Sequence, residues 1–344
     1  MKKVLATAAV FSLFIGAGSI SAATLTDVET LGKMIYESPL LSWDNTQSCA
    51  TCHNVAVGYA DDTAVSLGDD LVSTGGRNAP TSAYAGFSPL LHLNQAGEWV
   101  GGMFWDGRAT GYTLGDPLAE QAQGPPLNPV EMNMPDVQTI IDRLSADPEI
   151  APLFTQVYGV DAFADDFAAY DNMAKAIAAY ERSAEVTRFT SKFDAGTLNA
   201  QELRGKKLFM QNCTTCHAYG RRGGDYPLFT NYKYVNAGVP KNQALEDDLN
   251  CAYEYPDLGL GPVVDDPAQN GKFKVPTLRN IAMTAPYSHN GYFATLPEMV
   301  SFMNDRSAFT PEVDANLSTA VGNLGLTDKQ LDDIVVFLNT LTDM

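Results

Sequence analysis

The sequence predicts a mainly α-helical protein of two tandem domains with long loops, and three observations support this. Gly32-Lys33-Met34-Ile35-Tyr36 returns as Gly205-Lys206-Lys207-Leu208-Phe209, and a Cys-x-x-Cys-His segment follows each copy. Helix-start signals stand at matching places, Thr26 with Glu29 and Asn199 with Glu202, where a polar side chain and a carboxylate three residues on satisfy free backbone donors. The stretches between the helices are rich in Gly, Pro, Asn and Asp and show no sustained two-residue alternation, which argues for loops over strands.

Residues 1–23 read as a secretory signal peptide, because Lys2 and Lys3 precede the apolar run Val4 to Ile20 and the small residues Ser21, Ala22 and Ala23 follow. A membrane-spanning helix is the competing reading, but the run falls short of the ~20 residues a span needs and contains Gly16 and Gly18. The mature chain is therefore expected in the periplasm with no membrane span. Its first domain, 24–190, closes on a helix marked by Met173, Ile177 and Tyr180. A boundary near 190–198 leads to the second domain, 191–344. There a helix from Thr295, with Pro297 and Glu298 in its first turn, brings Met299 and Met303 onto one face. The closing helix carries Leu331, Ile334, Val335, Leu338 and Leu341 behind a Thr327/Gln330 cap.

Four of the five cysteines stand in Cys49-Ala50-Thr51-Cys52-His53 and Cys213-Thr214-Thr215-Cys216-His217, 164 positions apart. Such a segment places two thiols for thioether links to haem vinyl groups, while the following histidine presents its imidazole to the iron. A zinc site from two Cys-x-x-Cys knuckles, or a thioredoxin-like pair, competes with this reading. Neither requires histidine directly after both pairs, and no βαβ pattern surrounds them. Cys251 is left over without a role.

The formal charge of −19 becomes −21 once Lys2 and Lys3 leave with the signal peptide, 20 basic residues facing 41 acidic ones. Such a field repels nucleic acid and would steer a small basic electron donor toward the surface. It also keeps an exported protein soluble, a role that needs no partner.

These motifs, with Gly76-Arg77-Asn78-Ala79-Pro80, Phe104-Trp105-Asp106-Gly107-Arg108-Ala109, Glu120-Gln121-Ala122, Asn128-Pro129-Val130-Glu131-Met132 and Leu278-Arg279-Asn280 through Pro286-Tyr287 to His289-Asn290-Gly291, resemble the bacterial dihaem cytochrome c peroxidases and the related MauG-type enzymes. The resemblance covers most of the mature chain. It implies two covalent haems c, held by Cys49, Cys52 and His53 and by Cys213, Cys216 and His217. It further implies hydrogen peroxide reduction at the N-terminal haem and electron entry at the C-terminal haem from a cytochrome c or cupredoxin. By the same likeness Glu131 is the distal acid-base residue, with Gln121 beside it. Trp105 lies between the haems, and Met303 is an axial ligand where MauG-type enzymes carry tyrosine. Calcium at Asn78, Thr284 and Pro286, and a homodimer, complete the implied picture. Read without the resemblance, Glu131 is an acidic residue at a helix start, Trp105 is core packing and Met303 is a gap-filling side chain.

Three functions stay open: a hydrogen peroxide reductase, a MauG-like oxidant of another protein, and a dihaem electron carrier. A carrier has no use for an acid-base group over an open iron, so Glu131 and Gln121 argue against it. One departure from the family stands out. Typical members place a histidine after Ser-x-Gly that closes the peroxidatic iron, whereas here Ser66-Leu67-Gly68 leads to Asp69. The first haem is thus expected to be open, weakly held by Asp69, or closed by His92.

Overall fold

The computed structural model describes residues 24–223 and 226–344, so the signal-peptide expectation lies outside the described residues. The first half holds α1 (Asp27–Glu37), α2 (Cys49–Cys52), α3 (Pro117–Ala122), α4 (Gly124–Leu127), α5 (Val137–Ala146), α6 (Ile150–Tyr158) and α7 (Asp166–Arg182). The second holds α8 (Ala200–Asn212), α9 (Gln243–Asp247), α10 (Leu260–Val263), α11 (Leu296–Asn304) and α12 (Asp328–Asn339). Strands among the described residues form three antiparallel two-stranded ribbons: β1 (His92–Leu93) with β2 (Trp99–Val100), β3 (Arg221–Gly223) with β4 (Tyr226–Pro227), and β5 (Tyr234–Val235) with β6 (Phe273–Lys274). None of these helices is long and apolar enough to cross a membrane.

The helices start where the sequence places them. Thr26 N–H donates to the Glu29 carboxylate at 2.7 Å, Asn199 N–H to Glu202 at 2.6 Å, and Thr295 N–H to Glu298 at 2.9 Å, each closing a reciprocal cap. Gln330 does the same for Thr327 at 2.9 Å through its side-chain oxygen.

Each half is organised around one crossing of its opening helix on its closing helix, α1 on α7 and α8 on α12. The repeated glycines stand at these crossings. A Cβ on Gly32 would lie 1.9 Å from the Ala176 carbonyl oxygen, and one on Gly205 would lie 1.8 Å from that of Asp333. Only hydrogen fits there. Around the first crossing Leu31, Ile35, Tyr36, Met173, Ile177 and Tyr180 are buried with a run of alanines. Phenylalanines dominate the second, where Phe229 and Phe337 meet both Phe209 and the partly buried Phe193 edge to face or tilted.

A buried guanidinium anchors the connection between α7 and α8 to the second half. Arg279, fully shielded from solvent, donates to Asp194 at 2.6 Å and to the Pro227 carbonyl at 2.9 Å. Rings of Tyr84, Phe189, Phe193 and Phe229 surround it at 4.9–5.8 Å. Asp343 then ties the C-terminus to the first half, accepting from the Tyr84 hydroxyl at 2.5 Å and the Thr190 N–H at 2.9 Å.

Candidate functional site

In the first half α2 is one turn long, its start held by Ser48 N–H donating to the Thr51 hydroxyl at 3.0 Å, and His53 terminates it. Cys49, Cys52 and His53 thereby face one cavity, whose wall also includes Gln121 from α3, Ile177 and Glu181 from α7, and Glu131. The Asn128 amide donates to Glu131 at 2.8 Å. Burial pushes the Glu131 carboxyl above its ordinary range, against the opposing pull of Arg108 and of Asn128. Gln121 owes its place to its neighbour Glu120, whose carboxylate gathers the N–H groups of Gly111, Thr113 and Leu114 and fixes α3 against that loop.

The second cavity is larger and lined mostly by apolar side chains. Cys213, Cys216 and His217 face it together with both Met299 and Met303 of α11. His217 lies 2.9 Å from the Phe229 carbonyl through Nδ1, a contact that places the proton on Nδ1 and leaves Nε2 as a free acceptor. Burial lowers the proton affinity of His53 and His217 alike, which keeps both imidazoles neutral. Burial also lifts the thiols, Cys52 to about 11 and Cys213 to about 12. A thioredoxin-like pair needs the opposite shift.

The first half contributes to this second wall. Trp105 lines it, donating its indole N–H to the Asn78 carbonyl at 2.9 Å, and its own carbonyl accepts from Lys274 N–H at 2.9 Å. Asn78, Thr284 and Pro286 line the same space. The Asn78 amide nitrogen is engaged by the Thr63 carbonyl at 3.1 Å, so its Oδ1 is the side-chain atom left to act as a donor to a cation.

Comparison with known proteins agrees with this two-site arrangement. Residues 26–202 match the family described as di-haem cytochrome c peroxidase, and residues 203–342 match cytochrome c. The chain belongs to the di-haem cytochrome c peroxidase family. Among its relatives is the methylamine utilization protein MauG of Paracoccus denitrificans, 38% identical across 91% of this chain and 88% of that one. Cytochrome c peroxidase Ccp of Escherichia coli is 33% identical across 90% of this chain and 57% of its own length. The diheme peroxidase BthA of Burkholderia thailandensis superposes with a TM-score of 0.79 at 27% identity, covering 94% of this chain and 90% of that one.

Membership brings two haems c, and the residues present fit them. Each cavity offers two thiols beside a neutral imidazole; the second adds the thioether sulfurs of Met299 and Met303, and the first has Met132 in its wall. Both methionines reach that cavity, so the fold brings Met303 to the site without separating it from Met299.

Two expectations for the first haem are corrected. The Asp69 carboxylate is buried and occupied, accepting from the Ser42 hydroxyl, from Asp44 N–H at 2.9 Å and from the Thr46 hydroxyl at 3.0 Å, and it does not line the cavity. His92 sits exposed on β1, its Nδ1 2.8 Å from the Leu90 carbonyl, and it lines neither cavity. Both fail for the same reason, since local hydrogen bonds hold them elsewhere.

Two cavity residues escaped the sequence reading. Glu181 is almost fully buried, with burial chiefly responsible for raising its carboxyl to about 8. Its signal was present: it continues the stripe Met173, Ile177 at the next helical step. Lys274, in a two-residue strand, had no periodicity to reveal it.

Proposed function

We propose that the chain is a periplasmic peroxidase that reduces hydrogen peroxide to two waters, taking two protons from solvent and two electrons from a small redox protein, a cytochrome c or cupredoxin. One observation carries this reading: a half-buried carboxyl with raised proton affinity, Glu131, shares a cavity with the first Cys-x-x-Cys-His segment. Bound haem supplies iron that takes up peroxide and accepts electrons. Glu131 takes the proton from one peroxide oxygen and delivers it to the other, and a carboxyl lifted toward neutrality suits both steps. Gln121 presents its amide to the same oxygens and orients them. The second cavity, lined mostly by apolar side chains and by the thioether sulfurs of Met299 and Met303, suits electron entry, and Met303 would hold its haem iron. Trp105, in the wall between the halves, conducts between the two sites. Calcium held by Asn78, Thr284 and Pro286 fixes that wall. The acidic surface receives the basic donor.

A MauG-like oxidation of a partner protein is the second reading, favoured by the 38% identity to MauG. Peroxide-dependent oxidation of reduced cytochrome c, measured in steady state with Glu131→Gln as control, decides between them. Turnover that vanishes in the variant supports the peroxidase. Absence of turnover with both haems attached defeats it.

A further inference from the structure

Lys274 is a basic side chain on a mostly apolar cavity wall whose acids, Asp257 and Glu312, form no ion pair with it. It stands on β6 and faces the second cavity with Trp105, Cys216 and His217. Its ammonium donates to the Gly102 carbonyl at 2.6 Å and contacts the Met103 sulfur at 3.7 Å. Three hydrogens are available and two are engaged, one of them weakly. Among the described residues no carboxylate stands within ion-pair distance of it. The acid whose field reaches it, Asp106, is held by Arg77 at 2.5 Å and by Arg108 at 2.9 Å. Burial pulls the Lys274 ammonium down to about 7, with Asp106 pulling back, so the protein alone leaves this charge undercompensated.

Its position relative to the haem motif is fixed. Residues 228–234 run between the two: Asn231 N–H donates to the Cys216 carbonyl at 3.0 Å, and the Phe229 carbonyl contacts the His217 ring at 2.9 Å. The same segment holds the strand that carries Lys274, through Thr230 to the Val275 carbonyl at 2.6 Å and Thr277 to the Leu228 carbonyl at 2.7 Å. An undercompensated basic group is therefore built at a set place in a cavity whose occupant carries two carboxylates.

We propose that Lys274 pairs with a propionate of the C-terminal haem and holds that haem's reduction potential up, a positioning residue for electron entry beside Trp105. This rests on reading the second cavity as the electron-entry site. A fixed positive charge near the iron favours the reduced form, so removing it lowers the potential.

The test follows both haems of the holoprotein separately by spectroelectrochemistry in Lys274→Gln, Lys274→Met and Lys274→Arg. In the two neutral variants the reduction equilibrium of the C-terminal haem should fall on the order of tenfold, about 59 mV for one electron. The N-terminal haem should move less, and the arginine variant should stay near wild type. If the neutral variants fail to retain the C-terminal haem while arginine retains it, the charge is needed to hold the group and the assignment stands. A C-terminal shift no larger than the N-terminal one, or an arginine variant that fails or shifts like the neutral ones, overturns it. No turnover enters the measurement. A chain inactive toward peroxide would still show the shift, and an active peroxidase without it would defeat only this assignment.

Discussion

The two halves share a frame and differ in what the frame presents. Each crosses a glycine-bearing opening helix on a closing helix and places Cys-x-x-Cys-His after the first of them. The first cavity adds Glu131, Glu181 and Gln121, with Met132 also in its wall, whereas the second adds Met299 and Met303 against a phenylalanine core, its acids Asp257 and Glu312 being engaged by Arg77 and by the Asp257 N–H. Acids and an amide suit proton movement, and thioether sulfur in an apolar wall suits electron movement without protons. Division of labour is thus written on loops and single helix faces, while the scaffold is repeated.

Crossing the two sets of residues breaks or sharpens that contrast most strongly. Glu131→Gln should lower peroxide turnover on the order of 10²–10⁴-fold while leaving the C-terminal haem spectrum unchanged. Met303→Leu should do the reverse, altering the C-terminal haem's visible spectrum and leaving the other intact. If Met299→Leu changes a spectrum and Met303→Leu does not, the axial ligand is Met299. Turnover that survives Glu131→Gln would remove the first half's claim to proton chemistry. Because burial raises the Glu131 carboxyl and activity needs it ionised to begin the cycle, wild-type turnover should rise with pH through a midpoint above 4.5. A turnover profile flat from acid to neutral pH would contradict this.

The repeated glycines test whether the frame is shared. Gly32→Ala and Gly205→Ala each force a methyl group into a backbone carbonyl, an overpacking that costs about 1–3 kcal/mol or more. Denaturant unfolding followed at each haem should show the first variant weakening the N-terminal half and the second the C-terminal half. Equal effects on both halves from either variant would mean that they unfold as one unit.

These glycines also show how far the sequence could be read. Their repetition was visible, as were the caps at Thr26, Asn199, Thr295 and Thr327, because a cap or a Cys-x-x-Cys-His segment is complete within a few residues. The reason for the glycines was not visible, since Ala176 and Asp333 come from helices more than a hundred residues away. Arg279 reads as one basic residue among many until Asp194 and four rings close around it. Asp69 resembles a weak substitute ligand until Ser42, Asp44 and Thr46 engage it. Glu131 and Met303 were singled out through family likeness and the haem motifs by their own spacing, but the cavities these residues line required the fold.

A smaller effect concerns the acid that the sequence reading passed over. Glu181 is raised from 4.5 to about 8 in the folded chain, mainly by burial. From pH 4.5 to about 8 the unfolded chain has released this proton while the folded chain keeps it. Stability therefore falls as pH rises across that window. Glu181→Gln removes the penalty, so its melting temperature relative to wild type should be higher at pH 8 than at pH 5, by a few degrees. A difference independent of pH would show that Glu181 is already ionised in the folded protein.

The smallest expected effect is that of His92→Ala, and it isolates the first haem's resting state. The loop that ends in Asp69 is latched: Asp69 N–H donates to the Glu131 carbonyl at 2.7 Å, and its carboxylate serves three donors from residues 42–46. Releasing that carboxylate toward iron would strand those donors, one a backbone N–H and two hydroxyls, at a cost of about 1–3 kcal/mol each. His92 is held by the Leu90 carbonyl on a ribbon in register with Val100, away from the cavity. With neither side chain free to close the iron, the oxidised protein should give a high-spin electron paramagnetic resonance signal from the N-terminal haem and bind peroxide without prior reduction. His92→Ala should leave that signal unchanged. A purely low-spin spectrum that turns partly high-spin in the variant would instead make His92 the closing ligand, and would require β1 to move in the haem-loaded chain.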